Sequence, residues 1–496
     1  MGSSANAKFG SDADRGYARA AMGSGSRRIG VVLAVGLILA VASPARAAVW
    51  SVQPTPFSGI VSAVSCVSAR FCTAVGVGEA GIGAMGWDGK RWRLQATPDS
   101  GPASEGSLAG VSCVSSRNCV AVGEYLQSLG YDPVAMHTVP VIMPLAARWN
   151  GVGWSLLPFP SLPPGAQQGG LGAVACTSGT ACEAVGISGR PFAERWDGSS
   201  WSLESMPDPV PPANISQPGT NINDLSLSCS SGSFCTAVGG YDLNSGGGQS
   251  FAERWDGSSW SLGATPEIAG ASYTDLSGVS CTSSRACVAV GQYNPSSSRP
   301  VQRTLGERWN GTGWSVERTP NAVGQSNELV AVSCTSNRAC MAVGQTYSNA
   351  GFQPLVERWG GISWSVERTP LPGGLVQAVS CTSPVICTVI ASPRGSLYTV
   401  AEQSGPASAK LSGITSACTS ARFTLRVTGA GISSVAWSLD SKTIRGHSVH
   451  PGMRYVASIR LSPGRHKLAV KVKFTASSQT HALTFRRELR GCSPAH

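Results

Sequence analysis

The sequence predicts an all-β protein in which a seven-bladed β-propeller of four-stranded blades is followed by a small β-sandwich. A phrase such as VSCTSSRACVAVG, residues 279–291, recurs seven times, and the first cysteines of successive copies lie 47 to 63 residues apart. A period in this range is typical of solenoids, propellers and arrays. Each unit contains four short runs of β-forming residues separated by turn residues, which predicts a four-stranded antiparallel blade. The 60 glycines and the charged fraction of only 13% also favour turn-rich β-structure.

Residues 1–47 have the features of an export signal. Arg27 and Arg28 precede the apolar run IGVVLAVGLILAVA, which ends in SPARA and offers a cleavage site after Ala47. The polar lead before Met22 raises Met22 as a second possible start, and the export route stays open. We expect the mature protein to be secreted and soluble, in a compartment where disulfides persist.

The cysteine spacing predicts one disulfide in each blade. In every unit two cysteines six positions apart flank a tight turn between the first and second strands, where facing Cβ atoms come close enough to bond. The pairs are Cys66 and Cys72, Cys113 and Cys119, Cys176 and Cys182, Cys229 and Cys235, Cys281 and Cys287, Cys334 and Cys340, and Cys381 and Cys387. Each small loop contributes about 2 kcal/mol in the chain-entropy account. Zinc is the alternative, but zinc sites have shorter cysteine spacings and histidines nearby, so we expect no metal.

The phase of the repeat predicts a closed ring. The mature chain begins with AVWSVQPTP, residues 48–56, which is the last strand of a unit without its first three. The seventh unit, from Val379, has the first three strands but no WSVERTP. The N-terminal strand should therefore complete the last blade, so that residues 48–405 form a propeller without an exposed edge.

The phrases GERWNGTGWSVERTP and VSCTSSRACVAVG resemble those of secreted bacterial β-propeller repeat proteins, with distant similarity to Asp-box and kelch-type blades. Residues 412–496 resemble a bacterial immunoglobulin-like β-sandwich. That resemblance implies a bond between Cys418 and Cys492 that ties its first strand to its last. Neither resemblance identifies an activity.

Positive charge is concentrated in the predicted sandwich. Residues 411–496 carry 13 Lys or Arg against Asp440 and Glu488, a net charge of +11 that equals the formal charge of the whole chain. Without the export segment the propeller has a net charge of −4, from 19 basic and 23 acidic residues. The sandwich is therefore expected to contact an anionic envelope polymer, or else to present a solvated face with no partner. Nucleic acid is not expected as a physiological partner.

Repeated side chains are interpreted as structural. Glu194, Glu253, Glu307 and Glu357 of the Glu-Arg-Trp triplets occupy one position in four blades, whereas catalysis needs one asymmetric constellation. The tryptophan pairs flanking the Asp-Gly or Asn-Gly turns are expected to pack between blades, with a role as sugar platforms as the alternative.

Recognition is expected on the blade ends with variable loops, because the repeated short turns occupy the opposite ends. Four tyrosines that follow the second strands are the predicted ligand-binding residues: Tyr125, Tyr241, Tyr293 and Tyr347. The alternative is that each tyrosine caps its own loop. Acids expected on the same face are Asp99, Glu124, Asp208 and Asp275.

The sequence favours a secreted or cell-envelope-associated binding or adhesion module, monomeric and without a cofactor, that recognises a glycan or an extracellular protein. The alternative is a propeller polysaccharide lyase or glycoside hydrolase, which requires converging carboxylates or paired Tyr and His side chains. His137, in a long insertion with Asp132, is the propeller's lone histidine and the residue such a site would use. No catalytic residue is predicted, and the sequence does not choose the ligand.

Overall fold

The protein is all-β and is built from repeated four-stranded antiparallel sheets. The computed structural model describes residues 49–98, 101–103, 105–132, 137–210, 221–223, 225–243, 247–296, 301–321, 326–348, 351–369, 373–393, 398–405, 408–414, 422–430, 432–450, 454–474 and 482–492. The predicted export segment, residues 1–47, lies outside these ranges. No helix long and apolar enough to cross a bilayer occurs in the part of the chain that the structure describes.

We number the repeat sheets 1 to 7 by their cysteine pairs. Sheet 1 contains β1 (Val49–Ser68), β2 (Phe71–Gly78), β3 (Gly81–Trp87) and β4 (Trp92–Leu94). A 3-10 turn at Gly101–Ala103 precedes sheet 2, which contains β5 (Gly106–Ser115), β6 (Asn118–Asp132), β7 (His137–Trp149) and β8 (Trp154–Leu156). Sheet 3 contains β9 (Gly170–Ser178), β10 (Ala181–Ile187), β11 (Pro191–Trp196) and β12 (Trp201–Glu204). The short β13 (Asn221–Ile222) follows and pairs with β15 of sheet 4.

Sheet 4 contains β14 (Ser226–Ser231), β15 (Phe234–Asp242), β16 (Gly248–Trp255) and β17 (Trp260–Gly263). Sheet 5 contains β18 (Tyr273–Ser283), β19 (Ala286–Asn294), β20 (Arg303–Trp309) and β21 (Trp314–Glu317). Sheet 6 contains β22 (Ser326–Ser336), β23 (Ala339–Ser348), β24 (Gly351–Trp359) and β25 (Trp364–Val366). Sheet 7 contains β26 (Gly374–Ser383), β27 (Ile386–Pro393) and β28 (Tyr398–Gly405).

Disulfides join the first two strands of every repeat sheet, as the spacing predicts. In each case the two cysteines are direct register partners across the hairpin, for example Cys281 and Cys287, whose Cα atoms lie 4.0 Å apart. All seven predicted pairs are bonded. Cys492 is also disulfide-bonded, whereas Cys418 lies outside the described residues. The bonds indicate an oxidising environment.

The serine that precedes most first cysteines connects neighbouring sheets. Its Oγ accepts a hydrogen bond from the backbone N–H of the next sheet's first cysteine, as Ser280 does from Cys334 at 2.9 Å. The same bond recurs at five other junctions, including Ser380 with Cys66 at 3.0 Å. At the junction between sheets 3 and 4, Ala175 replaces the serine and the bond is not formed. The first strands contact one another in chain order, and β26 of sheet 7 contacts β1.

Strand β1 belongs to two sheets. Its first part pairs antiparallel with β28 from Val49 to Pro54, and its second part pairs with β2 from Gly59 onward. Trp50 of the first part reaches sheet 6, where its Nε1 donates to Glu367 at 3.1 Å. Residues 49–54 are therefore hydrogen-bonded to β28, the third strand of sheet 7.

The apolar cores lie between adjacent repeat sheets. Buried side chains of one sheet, such as Val288 and Val290, cluster with those of the next, such as Leu329 and Leu355. Small residues at the Ala-Val-Gly step in the second strands of sheets 1 to 6 allow this close approach. Within a sheet the two tryptophans that bracket the third turn are register partners, and their ring centroids lie 5.4 to 6.0 Å apart.

The C-terminal region contains two more four-stranded antiparallel sheets. The first orders β29 (Ser408–Ser412), β30 (Phe423–Ala430), β34 (Arg454–Ile459) and β33 (His447–His450). The second orders β32 (Lys442–Ile444), β31 (Ile432–Leu439), β35 (Gly464–Phe474) and β36 (Leu483–Gly491). They share a core centred on Leu425, Trp437 and Val470. A two-residue turn joins β31 to β32, with φ of 47° at Asp440 and 67° at Ser441, as a twisted hairpin requires.

Candidate functional site

The four predicted tyrosines lie within the second strands, close to the ends that carry variable loops. We call these ends of the repeat sheets the loop end, and the ends with the disulfide and tryptophan turns the turn end. Tyr241 pairs with Gln249 and Tyr347 with Phe352, because the hairpins continue pairing beyond the Ala-Val-Gly step. The second strands are therefore longer than the sequence indicates, and the tyrosines belong to them rather than to the loops.

The four tyrosines differ in solvent exposure. Tyr241 is only 4% exposed and packs in the core between sheets 3 and 4, with its hydroxyl donating to Gln249 Oε1 at 2.9 Å. Tyr125, Tyr293 and Tyr347 are half-buried. Tyr125 packs against Phe159 at 5.5 Å between ring centroids, and Tyr293 lines a cavity of about 500 Å³. Tyr241 therefore presents almost none of its ring to solvent, unlike the other three tyrosines.

A polar cluster at the loop end of sheets 4 to 6 was not identified as a group from the sequence. Asp275 on β18 faces Gln292 on β19, and Glu328 on β22 faces Gln345 on β23, one position beyond the Gly of each Ala-Val-Gly step. We use the name loop-end cluster for six residues: Asn223, Tyr273, Asp275, Glu328, Gln345 and Tyr347. The corresponding second-strand positions of sheets 1 and 3 hold Val77 and Ile187, so the cluster is asymmetric.

Hydrogen bonds fix the acidic members of this cluster. Glu328 Oε1 accepts from the Tyr347 hydroxyl at 2.8 Å and from the Gln345 amide, whose own oxygen accepts from Val376 N at 3.2 Å. Asp275 Oδ2 accepts from Ser277 at 3.2 Å. The loop-end acids therefore have defined orientations.

The phenols of the cluster are held neutral. Tyr273 accepts a hydrogen bond from Asn223 Nδ2 at 3.1 Å. Burial and the nearby charges of Asp275, Asp242 and Glu328 raise the pKa of Tyr273. Burial and the bond to Glu328 likewise raise the pKa of Tyr347 to about 12. Both hydroxyls remain hydrogen-bond donors near neutral pH.

Close approach between sheets 4 and 5 depends on a glycine. A Cβ added at Gly240 would overlap Asp275 Oδ1, so only glycine lets the carboxylate lie against β15. A similar arrangement holds Glu124 over Gly170, beside a cavity of about 230 Å³ lined by residues of the first and second strands of sheets 2 and 3. Of the other acids predicted here, Asp208 forms an ion pair with Arg190 at 3.1 Å, and Asp99 lies outside the described residues.

The glutamates of the Glu-Arg-Trp triplets are buried away from solvent, and the arginines are half-buried. The glutamates of the four triplets are fully buried, and those of sheets 4 to 6 have no hydrogen-bond partner for either carboxyl oxygen among the described residues. Burial raises the pKa of Glu307 and of Glu357 to about 8. The arginines stack on the next sheet, as Arg195 does on Trp255 at 4.3 Å. These contacts agree with a structural role.

A basic face covers one side of the C-terminal region. On β35 the core residues alternate with the exposed Arg465, Lys467, Lys471 and Lys473. Strand β36 places Arg490 opposite Arg465 on the same face, with Glu488 opposite Lys467. Positive charge on these two strands is therefore concentrated on a single solvent-facing surface.

Side chains of the metal-ligating types are not clustered in the described residues. Within those ranges no group of three or more His, Cys, Asp or Glu side chains is placed to hold a metal ion. His137 begins β7 and its backbone pairs with Asp132, but its side chain lies outside the described residues.

No protein-family model and no curated protein sequence matches the chain. Among solved structures, YCF48 bound to the D1 peptide is similar at 14% identity and a TM-score of 0.45, over 71% of this chain and 96% of that one. An ulvan lyase is similar at 9% identity and 0.41, over 72% and 94%, respectively. The fucose-specific lectin from Aleuria aurantia is similar at 10% identity and 0.34, over 65% and 90%. Likeness at this level carries no information about ligands.

Proposed function

We propose that residues 48–405 form a closed seven-bladed β-propeller that acts as a secreted binding module, with its ligand at the loop end. The continuous series of first-strand contacts and the bond from Cys66 N to Ser380 support closure of the ring. Pairing of Val49–Pro54 with β28 supports the N-terminal strand as the closing strand.

The loop-end cluster carries the proposal for binding. The cluster lies in sheets that otherwise follow the repeat, but its own residues are not repeated. Hydrogen bonds within the cluster orient its polar groups in the absence of a ligand. Oriented carboxylate and amide oxygens together with phenol donors suit the hydroxyls of a glycan or the amides of a peptide. A preorganised site loses less conformational entropy when a ligand binds.

Binding is favoured over lyase or hydrolase chemistry by the hydrogen bonds of the acids. Tyr347 and Gln345 donate to Glu328, and Ser277 donates to Asp275. These donors hold the carboxylates as oriented acceptors, whereas a general acid has to direct a proton at the substrate. The cluster therefore acts as a set of fixed acceptors and donors.

A glycan array followed by a peptide array tests this proposal. Glu328→Gln at the loop end should weaken capture of any ligand found by at least tenfold. Asp256→Asn makes the same carboxylate-to-amide change in the third turn of sheet 4, where the equivalent residue of sheet 5 is Asn310, and should leave capture unchanged. Equal binding by wild type and Glu328→Gln, or loss in Asp256→Asn alone, would contradict a loop-end site.

We also propose that residues 412–496 form an immunoglobulin-like sandwich whose basic face contacts anionic envelope polymers. Exposed like charges on adjacent strands attract polyanions, and salt screens this attraction over about 10 Å at 0.1 M. The full chain should bind polyglutamate beads at low salt and dissociate at physiological salt. The double change Lys471→Gln with Lys473→Gln should abolish retention, and salt-independent retention would contradict the proposal.

A further inference from the structure

One position of the repeat holds a side chain between adjacent sheets in some sheets but not in sheet 4. It follows the Trp-x-Leu or Trp-x-Val sequence of the fourth strands of sheets 1 to 6. In sheets 3, 5 and 6 a glutamate fills it: Glu204, Glu317 and Glu367. In sheet 4 the residue is Gly263, which pairs with Ala252 just as Glu204 pairs with Ala193.

The glutamates have a consistent set of partners. Each accepts from the Nε of its own sheet's arginine, at 2.6 Å from Arg195, 2.8 Å from Arg308 and 2.7 Å from Arg358. In two cases the second tryptophan of the next sheet donates as well. Trp260 Nε1 lies 3.2 Å from Glu204, and Trp50 Nε1 lies 3.1 Å from Glu367. The space between sheets thus recognises a carboxylate with a guanidinium and an indole N–H.

Sheet 4 has the arginine of this arrangement, Arg254, but lacks the glutamate. Arg254 forms no ion pair among the described residues, and it lies 5.6 Å from the Trp309 ring centroid, compared with 4.4 Å for Arg308 over Trp359. Nearby Asp256 already accepts from Ser258 and Ser259 within its own turn. Trp314, which corresponds to Trp260, donates no hydrogen bond from its Nε1 to another described residue.

A cavity occupies the place of the missing side chain. Its volume is about 270 Å³, and Arg254, Gly263, Trp309 and Trp314 contribute to its lining. Thr312 and Gly313 place it beside the third turn of sheet 5, at the turn end and not at the loop end. It is therefore separate from the loop-end cluster.

We propose that this cavity binds a short-chain carboxylate whose carboxyl group takes the place of the absent glutamate. The Arg254 guanidinium and the Trp314 N–H would hold the two oxygens, and the indole rings would cover the aliphatic part. Propionate reproduces the missing glutamate side chain beyond Cα. The inference does not depend on the function proposed for the loop end.

Titration of the full chain with sodium propionate, against sodium chloride at equal ionic strength and against propionamide, tests the proposal. Tryptophan fluorescence should show a saturable change with propionate alone, and Arg254→Gln should weaken binding at least tenfold. A response equal to that of propionamide, or an unchanged response in Arg254→Gln, would overturn the assignment.

Gly263→Glu provides an internal competitor. The backbone accepts a side chain there, because an added Cβ would lie 3.4 Å from its nearest neighbour, Ala252 O. This variant should melt above wild type and lose the propionate response. Gly263→Gln fills the same volume without charge, so it should lose the response without an equal gain in melting temperature. Propionate binding that persists in both variants would also overturn the proposal.

Discussion

The turn end and the loop end of the repeat sheets differ in how closely they follow the repeat. At the turn end, a disulfide, a tryptophan pair and a tight turn recur in sheet after sheet, and most of their polar groups bond within the repeat. At the loop end the hairpins differ in length, and polar side chains of sheets 4 to 6 form a cluster with no counterpart in sheets 1 and 3. Repeated contacts are thus concentrated at the turn end, whereas the loop end, where we propose that a ligand binds, has polar side chains outside the repeat.

The largest expected effect is at the turn end, where Trp255→Ala should lower the free energy of unfolding by about 3–5 kcal/mol. Its ring is 5% exposed, stacks under Arg195 and donates to Gly232 O at 3.3 Å. Urea unfolding with disulfides intact measures the loss. A loss below about 1 kcal/mol would mean that the tryptophan pairs are not the stabilising unit of the repeat, and the comparison would fail.

The buried glutamates give the repeat sheets a pH dependence. The folded pKa of Glu357 is about 8, above the ordinary value of 4.5, so the folded state retains a proton that the unfolded state loses. This stability is complete below pH 4.5 and is lost as pH rises towards 8. Melting temperature should therefore fall between pH 5 and 8, and Glu357→Gln should flatten the fall. A steeper fall in the variant would contradict burial of a neutral carboxyl group.

The serine to cysteine bonds allow a smaller test of the repeat. Ala175→Ser would place a hydroxyl at the position from which serines at the other junctions accept a cysteine N–H. At this junction the donor would be the N–H of Cys229. We expect a gain of about 1 kcal/mol in the free energy of unfolding, and a matching loss for Ser112→Ala, which removes the 2.9 Å bond to Cys176. Differential scanning calorimetry of both variants measures this. Destabilisation by Ala175→Ser would show that sheets 3 and 4 meet differently.

The smallest effect on stability is expected at the loop end. Glu328→Gln retains an acceptor for the Tyr347 hydroxyl, so the free energy of unfolding should change by less than about 1 kcal/mol. The same urea experiment provides the measurement. A loss as large as that of Trp255→Ala would make the cluster a structural network and would remove the contrast between the two ends.

Local sequence patterns predicted much of the repeat because its determinants are short-range. Two cysteines around a tight turn must face each other, and all seven pairs do so. Because the last unit lacks a fourth strand, the sequence also predicted a partner for it around Trp50, and Val49–Pro54 pairs with β28. The extent of the second strands was not readable, since pairing beyond Gly239 depends on partners such as Gln249.

The candidate sites depended on contacts between sheets, which one sequence does not contain. Tyr241 was predicted at a rim, but packing against sheet 3 buries its ring. Glu328 and Asp275 could be recognised as a pair only from the strand register, which places them at equivalent positions of adjacent sheets. Gly263 is visible as a break in the Trp-Ser-Leu-Glu pattern, and that break was the available signal for the cavity beside Arg254.

The double membership of β1 has a consequence for the order in which the chain acquires its structure. Val49–Pro54 comes early in the chain, yet its partners in β28 come about 350 residues later. This segment has no β28 partner until the intervening sheets have been synthesised. Its pairing closes the longest loop in the repeat region, so loop-closure entropy predicts that this contact forms slowly. Until it forms, β28 has an unpaired edge, and we expect the newly made chain to be most prone to aggregation just before β1 and β28 meet.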